Sequence, residues 1–164
     1  MNTSAPSARL EKSNAQREVF RFFLGLVEKK QLPAVIHSRR AVDEVLEVLS
    51  SFHPPKVLLH WYTGPVNKLP LIEDNGYFIT VGPSVAYSGR IVEIARKVNL
   101  NTILSETDGP VQYRGPYEGK TIKPSLVIDV VRKLAEIRSE RAESVRYAVW
   151  CNFQRLIGND RGLI

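Results

Sequence analysis

The chain has 164 residues, 43% of them hydrophobic and 24% charged, which is the make-up of a soluble globular domain long enough for one sizeable core. No apolar run approaches the ~20 residues of a membrane-crossing helix, and the polar opening MNTSAPSARLEKSNAQ lacks the apolar centre of a secretory signal. The 23 lysines and arginines outnumber 17 acids for a net charge of +6, which attracts phosphates at long range without specifying nucleic acid. Cys151 is the single cysteine, so an intrachain disulfide and a thiolate metal cluster are excluded, and a reducing cytoplasm is the expected compartment.

Residues 1–13 read as a loop or loose terminus. From Asn14 to Lys30, Val19, Phe22, Phe23, Leu26 and Val27 recur at helical spacing, with Asn14 placed to cap. LPAVIH is then a short strand, and RRAVDEVLEVLSSF is a helix with Val42, Val45, Leu46 and Leu49 on one face. The order repeats with KVLLHWY and a short helix around VNKLPLIEDN, then YFITVG and GRIVEIARKVN, then TILSETD. A loop rich in Gly and Pro follows, with YRGPYEGK as a mobile rim segment, before two helices over about 124–138 and 141–157. The strands begin near Leu32, Lys56, Tyr77 and Thr102, at intervals of 24, 21 and 25 residues. Strands that alternate with helices at this pitch predict an α/β fold of parallel βα repeats. Their near-continuous apolar runs predict strands covered on both faces, and no linker divides the chain, so one domain over 1–164 is expected.

In parallel α/β folds, ligands bind beyond the carboxyl ends of the strands. The first strand ends in His37, the second carries His60 near its end, and the fourth ends in Glu106 and Asp108; the third offers only Gly82 and Pro83. Imidazole and carboxylate suit Zn²⁺, Mn²⁺ and related ions. Period two puts Glu106 and Asp108 on one side of their strand, where two carboxylates repel unless a cation or proton lies between them. Against this, a lone strand-end histidine is usually a hydrogen-bonded structural residue, and Asp108 before Gly109-Pro110 has a turn-forming alternative. His53, in the loop SFHPPK, reads as surface. Arg39 and Arg40 either open an exposed helix or offer a guanidinium fork to a phosphate oxygen, with Arg39 the candidate. Arg114 and Lys120 read as solvated loop residues, Trp61 and Tyr62 as packing residues, and Cys151 as helix core.

In order, LPAVIHSR, HWYTG, GYFITVG, SETDGP, GPYEGK before Pro124, and CNFQRLIG resemble the C-terminal part of a TatD-family metal-dependent hydrolase, from about Arg9 to Gly158. The resemblance implies a TIM-type (β/α)₈ barrel with two divalent metals, Zn, Mn or Mg, at its carboxyl end, and deoxyribonuclease or phosphodiesterase activity. It implies His37 and His60 as ligands of one metal and Asp108 as ligand of the other and catalytic partner of the attacking water. Glu106 would be a supporting carboxylate, and nucleic acid the substrate. The family has an acidic residue where Arg40 stands. Its opening H-x-H strand and a later Glu-bearing strand have no counterpart here: the only histidines are His37, His53 and His60. A whole barrel needs ~250 residues, so the resemblance implies strands five to eight, preceded by the fourth helix. Completion by a complementary N-terminal chain or by a homodimer of half-barrels is expected. A non-catalytic metal- or nucleic-acid-binding half-barrel, or a truncated gene product, is the alternative.

Overall fold

The computed structural model describes residues 6–159, and side chains from residue 14 onward. The first helix, α1 (Pro6–Lys30), begins at Pro6 rather than at Asn14, so the expected loop is helical from residue 6, and residues 1–5 lie outside the described residues. Proline suits the first helical position, where its missing N–H costs nothing, and Ala, Arg, Leu, Glu and Lys carry the helix on. Asn14 therefore sits inside α1 and caps nothing.

Four strands follow: β1 (Pro33–His37), β2 (Lys56–His60), β3 (Phe78–Val81) and β4 (Ile103–Ser105). They pair in parallel in the order β1-β2-β3-β4, as the repeating βα pattern requires. Between them run α2 (Val42–Leu49), α3 (Leu69–Asp74) and α4 (Gly89–Lys97), and after β4 come α5 (Val127–Arg138) and α6 (Ala142–Leu156). The amphipathic stripe of α2 is as expected, with Val42, Val45, Leu46, Val48 and Leu49 all buried.

Strand alternation sorts the core into two sides. Val57, Leu59, Ile79, Val81 and Ile103 pack with the helices in one large cluster that includes Leu24, Ile72, Ile94, Val130 and Leu134. On the other side Leu58, Phe78 and Leu104 meet Leu156 from the end of α6. That helix crosses the amino end of β4, where the buried Asn152 amide donates to Leu100 O at 2.8 Å and Ile103 O at 2.6 Å. The Arg138 guanidinium donates to Ala95 O and Val98 O, fastening the end of α5 to that of α4.

The expectation of two covered faces holds for β2 and β3 but not for β1, where Pro33, Val35 and His37 are exposed and Val35 keeps 63% of its surface. Nothing among the described residues lies over that side of β1. Apolar side chains are also exposed on α1 (Val19, Phe22, Phe23) and on α6 (Tyr147, Trp150, Phe153). Cys151 is half-buried rather than core. The YRGPYEGK segment is anchored, because Tyr113 and Tyr117 are buried with Ile122. No helix among the described residues is long and apolar enough to cross a membrane.

Leu59 is fully buried at the centre of the sheet. Leu59→Ala removes its methyl groups and leaves a void, so urea unfolding should show a loss of ~3 kcal/mol.

Candidate metal centre at the carboxyl ends of the strands

The in-register parallel pairing of β1 with β2 runs from Pro33 opposite Lys56 to His37 opposite His60. Neighbours in parallel register point to the same face, so both imidazoles emerge together. Their ring centroids are 4.5 Å apart and the rings are nearly perpendicular. His37 is exposed at the sheet edge, whereas His60 is mostly covered.

Glu106 reaches the same spot from the far side of the sheet. Its amide donates to Val81 O at 3.1 Å, which carries the β3–β4 ladder one residue past β4. Its Oε2 lies 2.8 Å from His60 Nε2. Gly82 makes room: a Cβ there would stand 3.2 Å from Glu106 Cγ and 3.3 Å from Oε1. The contribution of β3 is thus an absent side chain, a role not visible when Gly82 is read as a mere strand end.

Thr80 was also missed by sequence reasoning. It is buried, and its Oγ1 accepts the main-chain N–H of Trp61 at 2.6 Å. Trp61 follows His60 directly and has φ 47°, a left-handed backbone that bulky residues rarely adopt. Arg40 after β1 (φ 58°) and Asp108 after β4 (φ 45°) share that region. Such residues cost ~1–3 kcal/mol each and cluster where a site demands a particular side-chain direction. The Trp61 ring rests against Tyr113, at 5.6 Å between centroids, and the Tyr113 hydroxyl donates to Thr107 O at 2.9 Å.

Electrostatics mark Glu106 as the unusual group. Burial pushes its carboxyl up from 4.5 to about 7; Asp108 adds to the rise, while Thr80, the Trp61 amide and His37 act against it. The Tyr113 phenol is raised by burial and then by the charges of Glu106 and Asp108. Asp108 is therefore electrostatically part of the site. Yet β4 ends at Ser105, so Asp108 sits in the turn, and the period-two argument that placed it beside Glu106 on a strand does not apply.

Both Glu106 carboxylate oxygens and His60 Nδ1 are buried without a hydrogen-bond partner among the described residues. An imidazole nitrogen and a carboxylate oxygen at 2.8 Å, out of hydrogen-bond alignment, call for a proton or a cation between them. The donor types fit a divalent metal; the number does not, since among the described residues no three His, Cys, Asp or Glu side chains are spaced to hold one ion. His37, His60 and Glu106 come together, Asp108 borders them, and Arg39 does not line the same space. His60, Thr80 and Glu106 instead line a cleft of 750 Å³ alongside β4, with Arg132, Arg146 and Trp150 among its walls on α5 and α6. Arg39 lies in a second cleft with Arg40 and Arg90. His53 is a surface residue beside Glu28, as read from the sequence.

Because the folded state holds the Glu106 carboxyl above its unfolded value, protonation favours folding. Stability from this group is full below pH 4.5 and is lost as pH rises toward about 7. Glu106→Gln should therefore stabilise the metal-free chain by ~3 kcal/mol at pH 8 and by little at pH 4.5, read from urea midpoints at the two pH values. An equal effect at both would contradict the assignment.

Comparison with known proteins places the chain in a family. The family model described as TatD related DNase matches residues 6–158. An uncharacterized metal-dependent hydrolase of Methanocaldococcus jannaschii is 27% identical over 87% of this chain and 57% of its own length. The human deoxyribonuclease TATDN3 is 27% identical over 94% of this chain and 56% of its own. The crystal structure of the TatD homologue YJJV from Escherichia coli K12 superposes with a TM-score of 0.83 at 24% identity, covering 96% of this chain and 61% of that one. The match takes in almost all of this chain, and the chain spans a little over half the length of the curated relatives it matches. An α/β sheet of parallel strands, imidazoles and carboxylates at its carboxyl end, and a family match along nearly the whole sequence lead to one conclusion: the chain belongs to the TatD family of metal-dependent hydrolases.

Proposed function

We propose that this chain carries half of the active site of a divalent-metal-dependent phosphodiesterase that cleaves DNA, and that it forms strands five to eight of a TIM-type barrel. The observation that carries the reading is the meeting of His37 and His60 at adjacent strand ends, with a buried and unpartnered Glu106 carboxylate against His60. That the human relative is a deoxyribonuclease supports the choice of substrate. His37 and His60 would hold one metal and Asp108 a second, with Zn, Mn and Mg the ions such donors suit. Bound there, the metals would supply a water of lowered pKa and positive charge for the phosphoryl oxygens.

The remaining roles belong to the chain itself. Glu106 fixes the ring of His60 through the contact at Nε2, as carboxylates behind metal-bound imidazoles do. Asp108, aimed by its left-handed backbone, orients the attacking water and accepts its proton on a carboxylate oxygen. Arg39, from the neighbouring cleft, would take a substrate phosphate oxygen with its guanidinium fork.

The half of a barrel that these residues do not form would complete the site. The exposed face of β1, the apolar side chains on α1 and α6, and the count of fewer than three converging ligands all support an incomplete site. A complementary chain fits better than a second copy. In a ring of two copies, α1 of one and α5 with α6 of the other would compete to cover the same β4–β1 joint. The reading as a non-catalytic metal- or nucleic-acid-binding half-barrel is favoured by that same ligand shortfall, and turnover separates the two.

Calorimetry should give weak Zn²⁺ or Mn²⁺ binding to the chain alone, lost in His37→Ala and in His60→Ala; affinity equal to wild type in both variants would remove the site. Mixed with the separately expressed part of E. coli YJJV that lies outside the matched region, the chain should cleave single-stranded DNA. That cleavage should stop with a chelator and fall at least ~100-fold in Asp108→Ala. DNA retention without turnover would favour the binding module.

A further inference from the structure

A cleft of 440 Å³ on the rim is lined by Arg39, Arg40, Asp43, Thr63, Gly64 and Arg90. These residues come from the loop after β1, the first turn of α2, the loop after β2 and the start of α4, so successive βα units contribute to one wall. Arg39, Arg40 and Arg90 are in no ion pair and no side-chain hydrogen bond among the described residues. Two acids share the lining; Asp43 is held by Lys68 Nζ at 2.5 Å, which leaves three guanidiniums against Glu44. Three unpaired guanidiniums brought together repel one another, an arrangement that an anion between them reverses.

The walls of the cleft are set before any ligand arrives. The Tyr62 hydroxyl donates to Pro65 O at 2.7 Å, folding the ring back beneath Gly64. A Cβ on Gly64 would lie 2.5 Å from that ring, so only glycine permits the turn. Arg40 takes a left-handed backbone that turns the chain between His37 and α2. The helices that carry lining residues, α2 and α4, begin without a side-chain cap, so their first main-chain N–H groups have no side-chain acceptor.

We propose that this cleft is a second phosphate subsite, in which Arg39, Arg40 and Arg90 together hold the phosphate next to the one being cleaved. The substrate class is then a single-stranded polynucleotide rather than a phosphomonoester. The inference rests on the phosphodiester reading for its substrate. The affinity of the cleft for a nucleic-acid backbone does not depend on metal. The cleft is built from the loops that follow His37 and His60, at the same carboxyl end of the sheet, so a polynucleotide held at the histidines has flanking phosphates to offer these guanidiniums. Forked guanidiniums converging from separate loops suit the two or more oxygens of a phosphodiester.

The probe is a fluorescein-labelled ten-residue oligothymidylate, followed by anisotropy in EDTA, where no cleavage occurs. Arg40 and Arg90 are exposed, so R40Q/R90Q should keep the thermal unfolding of the parent chain. Its Kd should rise at least tenfold, and the slope of log K against log salt should fall by about 1.4, two single-strand phosphate contacts. The charge-matched control K29Q/K30Q, at the opposite end of the sheet, should lose much less. Unchanged affinity and slope in R40Q/R90Q, an equal loss in the control, or no binding by the parent chain would each overturn the subsite. Zn²⁺ titration of R40Q/R90Q separates the two readings. Metal affinity kept with oligonucleotide affinity lost supports the subsite. Oligonucleotide binding that depends on these arginines in a chain that takes up no metal keeps the subsite and removes the hydrolase reading.

Discussion

The structure turns on the register between its first two strands. Because His37 pairs opposite His60 with no offset, two imidazoles that lie far apart in sequence leave the sheet on the same side and nearly in contact. A slip of one residue would send one of them into the helix layer among Ile36 and Leu59 and dissolve the site. What fixes the register is the burial on that helix side. Ala34 and Ile36 of β1, with Val57 and Leu59 of β2, belong to one core with α2, α3 and α4. Packing in the core thus places the polar groups at the rim.

From that pair the other features follow as supports. Glu106 needs Gly82 in order to approach and is left buried with oxygens unpartnered, so its carboxyl resists ionisation until about pH 7. Trp61, Asp108 and Arg40 hold unfavourable backbone angles just after three of the four strands. The Thr80 hydroxyl and the Tyr113 ring keep Trp61 there. Among the described residues, three of the five non-glycine residues with left-handed backbone and the desolvated Glu106 carboxylate lie at this one mouth, as expected of a binding or catalytic site. The basic cleft lined by Arg39, Arg40 and Arg90 opens separately from the imidazoles.

Much of this was legible in the sequence. The βα pitch gave the four parallel strands, and the ends of the first two gave His37 and His60, because strand ends are defined by local composition. Other features were not. The helical turns over residues 6–13 were hidden by a segment without an apolar stripe, although its residues individually favour helix. Asp108 was assigned to a strand because alternation alone does not reveal where a ladder stops, and β4 stops at Ser105. Thr80 and Gly82 act through a hydrogen bond and an absence, neither of which leaves a periodic trace. Arg39 was read as a partner of the histidines from its distance in sequence, while the turn at Arg40 takes it to the neighbouring cleft. The open face of β1 breaks the expected burial for a reason of the same kind: what would cover it is not a local property of the chain.

Histidine-labelled chain titrated with Zn²⁺ and followed by long-range ¹H–¹⁵N spectra of the imidazole rings tests the shared site most directly. The account predicts that ring nitrogens of His37 and His60 shift together at one metal concentration while those of His53 stay in place. Separate titration of the two rings, or equal movement of all three, would contradict it.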